Sequence, residues 1–177
     1  MRGENILIIF IGLFIRTVIG SVRFTNLSYE LSSDYVKGTV NVKMDNGVYS
    51  VGMNSDLLKK IDGNFWVTPI LSKKIKDAYI PLTDIKLDTC KEDPSSAENP
   101  VVRFISAEVK KLVTFGLKCP YEPGHYTVND FSFEDGHSML KLIPKGSYHV
   151  SITCQHQPPG SSSLIKVMSF SFYADID

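Results

Sequence analysis

The sequence predicts an all-β fold, an antiparallel β-sandwich with one helix inserted between Cys90 and Cys119. Short alternations of apolar and polar residues, separated by Gly, Pro, Asn and Ser clusters, predict the strands. Asn46-Gly47, set between two such alternations, predicts a tight hairpin. After Asn99-Pro100 the apolar spacing lengthens to every third or fourth residue, which predicts the helix.

The first element stands apart from that domain. Arg2 precedes an apolar or glycine run from Ile6 to Ile15, and Val18 and Gly20 suit the −3 and −1 positions of a signal-peptidase site. A membrane anchor is the competing reading. A spanning helix needs about 20 apolar residues, and Arg16 ends this run too early. Residues 1–20 are therefore expected to be a cleaved signal peptide, and 21–177 a secreted, extracellular domain. Asn26-Leu27-Ser28 is the one glycosylation sequon, so Asn26 is a candidate glycosylation site if its segment is exposed; an unmodified edge strand is the alternative.

Val40, Val42 and Met44 alternate with polar residues before Asn46-Gly47, and Tyr49, Val51 and Met53 do so after it. Both central positions of a type I′ turn need positive φ, which Asn and Gly tolerate. A two-residue loop then sets Met44 against Tyr49, Val42 against Val51 and Val40 against Met53. Phe65–Leu71 and Ile80–Leu87 are the next strands. In the second, apolar parity changes between Leu82 and Ile85, which predicts a bulge or bend near Asp84.

The helix follows Asn99 as N-cap and Pro100 as first residue. Val102, Ile105, Val109 and Leu112 form its apolar stripe, and Gly116 stands where a terminating glycine is expected. Thr127–Phe133 then carries Phe131 and Phe133 on one face. Ser147–His156 and Leu164–Tyr173 flank the turn-forming stretch Gln157-Pro158-Pro159-Gly160-Ser161-Ser162-Ser163. Met168, Phe170 and Phe172 mark the inward face of the last strand, with Ser169 and Ser171 outward.

Three cysteines remain after residue 20, and an oxidising compartment favours pairing two of them. Cys90 with Cys119 is the preferred pair, closing a loop that stabilises the fold by roughly 3–4 kcal/mol in the chain-entropy model. Cys154 shares its parity with Tyr148, Val150 and Ile152, so a buried free thiol is expected. A disulfide to another chain is the alternative.

Composition excludes several classes. A chain 43% hydrophobic and 21% charged is neither disordered nor collagen-like. Removing residues 1–20 leaves 17 basic and 18 acidic residues, with no clustered basic surface for nucleic acid. The lysine pairs at 59–60, 73–74 and 110–111 are expected to be solvated faces. His149, Cys154 and His156 invite a zinc reading, but strand parity puts His149 on the opposite face from the other two. Gly136-His137-Ser138 and Gly146-Ser147-Tyr148 are not nucleophile elbows, and no phosphate-cradling glycine loop occurs. The histidines are expected on the surface or in turns, and the chain is expected to be no enzyme, with no cofactor or metal.

Phe24-Thr25-Asn26, Leu87-Asp88-Thr89-Cys90, the helix after Asn99-Pro100, Lys118-Cys119-Pro120-Tyr121 and Pro144-Lys145-Gly146-Ser147-Tyr148 occur in that order. Together they resemble the insect secreted branch of the MD-2-related lipid-recognition (ML) superfamily, across nearly all of 21–177. The resemblance implies an immunoglobulin-like sandwich whose sheets splay apart to hold a lipid, and it too implies a Cys90–Cys119 bridge. Some insect members are similar to proteins of chemosensory tissue, so pheromone sensing and ligand delivery are candidate roles. The chain departs from the pattern at Ser28 and Tyr29, where many relatives carry a cysteine. An N-terminal bridge is then missing, and Cys154 is left without that partner.

The expected function is therefore a secreted carrier or receptor for a lipid or other hydrophobic small molecule, with a membrane receptor as a candidate partner. Phe65, Trp66, Phe104, Ile105, Phe131, Phe133, Tyr148, Ile152, Met168 and Phe170 are the candidate ligand-binding residues. For each of them, plain core packing is the competing explanation; only a set around a void makes a site. The alternative function is a secreted protein-interaction module with a closed core and no ligand.

Overall fold

A computed structural model describes residues 22–45, 48–83, 85–93, 96, 98, 103, 106–107, 110–111, 116–117, 119–132 and 144–176. The expected signal peptide lies outside these residues. Among the described residues nine strands follow one another: β1 (Val22–Leu31), β2 (Val36–Asp45), β3 (Val48–Leu57), β4 (Asn64–Ile75), β5 (Ala78–Pro81), β6 (Leu87–Asp88), β7 (Gly124–Ser132), β8 (Gly146–Gln157) and β9 (Ile165–Ile176). They form two antiparallel sheets. The larger runs β1-β9-β8-β4-β5, with β6 also on β4; the smaller runs β2-β3-β7.

The β2–β3 hairpin has the register that its turn predicts: Met44 opposite Tyr49, Val42 opposite Val51 and Val40 opposite Met53. Asn46 and Gly47 themselves lie outside the described residues. A two-residue loop and a two-residue side-chain period admit only this pairing if the apolar rows are to share a face.

The single strand expected over Ile80–Leu87 is instead two. β5 pairs with β4 at Ser72–Ile75, while β6 pairs with it at Trp66 and Val67. Between them the Thr83 hydroxyl accepts the Leu71 amide, at 2.9 Å, in place of a ladder carbonyl. The parity change in the sequence marks a departure from the sheet, not a simple bulge.

The helix expected after Pro100 falls largely outside the described residues, including Val102, Ile105, Val109 and Leu112. Arg103, Ser106, Ala107, Lys110 and Lys111 have helical backbone.

Two bulges reset side-chain parity in the large sheet. In β1 the pairing jumps from Thr25–Tyr173 to Ser28–Ser171, and Asn26 takes φ 52° there. Asparagine is among the few residues that occupy this left-handed region readily. In β9 Cys154 pairs with Met168 but Gln155 pairs with Lys166, so Val167 is the extra residue. Val167 is fully buried, and Ala174 and Ile176 of opposite parity are buried too.

Cys90 and Cys119 are disulfide-bonded. Cys90 follows β6 of the large sheet, and Cys119 precedes the Ile61–Tyr121 bridge that leads into β7 of the small one. The bond therefore ties the two sheets together. Beside it Phe65 and Tyr121 meet ring edge to face at 5.7 Å.

Candidate functional site

The described core consists of two buried clusters. One contains Tyr35, Val36, Leu57, Ile61, Phe65, Cys154 and Val167, and so draws on both sheets. The other contains Tyr148, Ala174 and Ile176, with Leu71 packed against it, all from the large sheet. Among the described residues, fully buried contact between the sheets is confined to the first cluster.

Between the clusters the inner row of the large sheet is only half-buried. Ile152 pairs with Phe170 and Val150 with Phe172, and all four are intermediate in exposure. On the small sheet, Val36 and Leu57 are buried, but Val40 and Met53, on the same strand face, are half-buried. Val128, opposite Met53, is half-buried as well. The two apolar rows thus meet closely at one end and lose full burial away from it. This is the candidate site.

The predicted ligand residues distribute unevenly over this geometry. Ile152, Met168 and Phe170 are half-buried, with Ile152 and Met168 packed against the first cluster. Phe65 and Tyr148 are core residues, one in each cluster. Trp66 pairs with Gln155 and carries the Lys86 ammonium 4.5 Å from its ring centroid, on the face opposite Phe65. Alternation along β4 cannot present both to the inter-sheet space. Phe131 stands opposite Val51 in the register, its side chain not described. Phe104, Ile105 and Phe133 lie outside the described residues. The sequence pattern marks Val150, Phe172, Val40 and Met53 as inward-facing or paired strand residues but not as ligand residues.

One histidine is not a surface residue. His156 is 3% exposed, because it shares strand parity with Ile152 and Cys154. Its Nδ1 lies 3.1 Å from the Tyr35 hydroxyl and its Nε2 lies 2.6 Å from the Asp62 carbonyl. His125, by contrast, is exposed and pairs with Asp56 at 2.8 Å. His149 is half-buried on the outer face, where its ring meets Tyr79 and Tyr173 and its Nε2 lies 2.7 Å from the Ser171 hydroxyl. His137 lies outside the described residues.

Cys154 is free and buried, and burial pushes its thiol up to about 12. Burial also raises the Tyr121 phenol above its ordinary value. Asp88, 1% exposed, accepts the Phe65 and Cys90 amides at 3.1 Å each through Oδ1. It therefore fixes the start of the disulfide-bearing turn against β4. Among the described residues no group of three or more His, Cys, Asp or Glu is placed to hold a metal. None of their helices is long and apolar enough to cross a membrane.

Open grooves lined by described residues also occur on the large sheet. One of about 670 Å³ is bounded by Arg23, Lys145, Gly146, Ser147, Asp175 and Ile176. The other, of about 510 Å³, crosses the outer hydroxyl-rich face at Ser151, Thr153, Ser169 and Ser171.

A family model described as "Protein of unknown function (DUF1091)" matches residues 68–150, somewhat under half of the chain. The matched span takes in Asp88-Thr89-Cys90, Cys119-Pro120-Tyr121 and Gly146-Ser147-Tyr148. No curated protein matches the chain.

Proposed function

We propose that this chain is a secreted, non-catalytic carrier for a lipid or other hydrophobic small molecule, which it holds between its two sheets. The observation that carries the reading is the uneven burial of the facing rows. Phe65, Leu57 and Val167 are sealed at one end, whereas Ile152, Phe170 and Met53 are half-buried further along. An apolar guest there removes that surface from water, at about 25 cal/mol per Å². In this reading the chain is an ML-type, immunoglobulin-like sandwich with its helix inserted between Cys90 and Cys119. The family-model match supports it by spanning three of the motifs on which the resemblance rests. The apolar leader and the disulfide support secretion, since such bonds persist in oxidising compartments.

Asn26 belongs to the same reading as a glycosylation site, because it is exposed on edge strand β1. A membrane receptor is the protein partner that a delivery role calls for.

The test is a titration of the delipidated protein with a fluorescent fatty acid. Saturable binding near one per chain, weakened at least tenfold in Ile152→Trp, is expected. A correctly folded protein that takes up no probe overturns the carrier reading and leaves the closed-core interaction module.

A further inference from the structure

The hairpin of β4 and β5 exposes its aliphatic side chains. Ile75 is 52% exposed, Ile80 45% and Leu82 51%. All three belong to one hairpin and its exit: Ile75 pairs with Ala78, Ile80 with Lys73, and the Leu82 amide donates to the Leu71 carbonyl. Ile75 and Ile80 share strand parity with Leu71, which packs against Tyr148 in the second buried cluster. The inner face of the large sheet therefore continues past its buried end, interrupted by Lys73, onto an exposed lip.

Positive charge surrounds that lip. Residues 73–82 hold Lys73, Lys74 and Lys76 against a single acid, Asp77. Lys73 leans over the Tyr148 ring, 5.6 Å from its centroid. A Cβ built on Gly146 would sit 3.0 Å from Lys73 Cε, so exposed Lys145 lies beside the same corner. Lys74 and Lys76 are exposed. Exposed aliphatic side chains on one face of the hairpin, with Lys74 on its other face and Lys76 at its turn, match a bilayer that is apolar within and anionic at its surface.

From this juxtaposition we infer that the β4–β5 hairpin docks the protein on an anionic lipid surface, with Ile75, Ile80 and Leu82 entering the headgroup boundary. The inference rests on the carrier reading in one respect: lip and inter-sheet row lie on one face of the large sheet, so docking brings the carrier's inner face toward the bilayer. Docking itself does not require a cavity.

The experiment is co-flotation of the full secreted chain with vesicles of phosphatidylcholine containing 30% phosphatidylserine, alongside pure phosphatidylcholine vesicles. Attachment is expected to the anionic vesicles alone and to weaken as salt rises. It should fall at least tenfold in Lys74→Glu/Lys76→Glu and in Ile75→Ser/Leu82→Ser. These side chains are exposed, so thermal midpoints should match the wild type and exclude misfolding. Failure to float with anionic vesicles overturns the inference, as does attachment that both double variants retain. Dimerisation through the β5 edge without vesicle binding overturns it too. The same samples are titrated with the fluorescent fatty acid. Probe uptake without flotation rejects the docking lip and keeps the carrier; flotation without uptake supports the lip and rejects the carrier.

Discussion

The Tyr35 hydroxyl lies 3.1 Å from Nδ1 of His156, and the two rings meet edge to face with centroids 5.5 Å apart. Tyr35 stands in the turn before β2 and His156 near the end of β8, so the pair joins the small sheet to the large one. A backbone carbonyl only accepts, so His156 Nε2 donates to the Asp62 carbonyl; with the ring neutral, Nδ1 then accepts from the Tyr35 hydroxyl. Both rings are buried, and neither can exchange its partner for bulk water.

Tyr35→Phe leaves Nδ1 buried without a donor. The expected cost is about 1–3 kcal/mol, the usual penalty for an unsatisfied buried polar group. Urea unfolding checks it: the midpoint should fall while the slope stays constant.

Cys154 should resist alkylation in the native state at pH 8 and react promptly once unfolded. Its folded pKa, about 12, lies above the ordinary thiol value of 9.0, so the unfolded chain loses that proton first. Stability from this group is complete below pH 9 and is lost as pH rises toward 12. Tyrosines titrate in the same range, so the comparison is with Cys154→Ala, whose unfolding free energy should decline less steeply between pH 9 and 11.

Replacing both Cys90 and Cys119 by alanine frees a loop with a sequence separation of 29 residues. A loss of about 3–4 kcal/mol is expected from the chain-entropy model. Because the bond joins the sheets, proteolysis of the double variant should begin earlier, between residues 91 and 118.

Leu57→Ala and Met53→Ala sit two steps apart on one strand face and should differ. Leu57 is sealed in the two-sheet cluster, so its truncation costs about 2–5 kcal/mol. Met53 is half-buried, so its truncation should cost less than half as much and lower fatty-acid affinity instead. Thermal unfolding and probe titration separate the two effects.

Much of the fold was legible because strands follow a period of two. The β2–β3 register came from one Asn-Gly pair and six alternating residues, since any other pairing would put apolar side chains on the wrong face. Interruptions were harder to place. Thr83 completes the β4 ladder with a side chain, so nothing in local propensity distinguishes β5–β6 from one bent strand. Val167 breaks parity in β9, and its burial depends on the pairing of Cys154 with Met168 rather than on its own neighbours. His156 was misplaced because a polar residue on an inner row looks like a surface one until its partners appear. Those partners, Tyr35 and Asp62, are 121 and 94 residues away in the chain. For the same reason alternation could name inner-row residues such as Phe65 and Ile152 together, though one is sealed and the other half-buried.

Native mass spectrometry of the protein collected from eukaryotic secretion tests the central claim most directly. The account predicts a population heavier by one apolar molecule than the same protein after organic extraction. A single ligand-free species that also takes up no lipid when offered would contradict it.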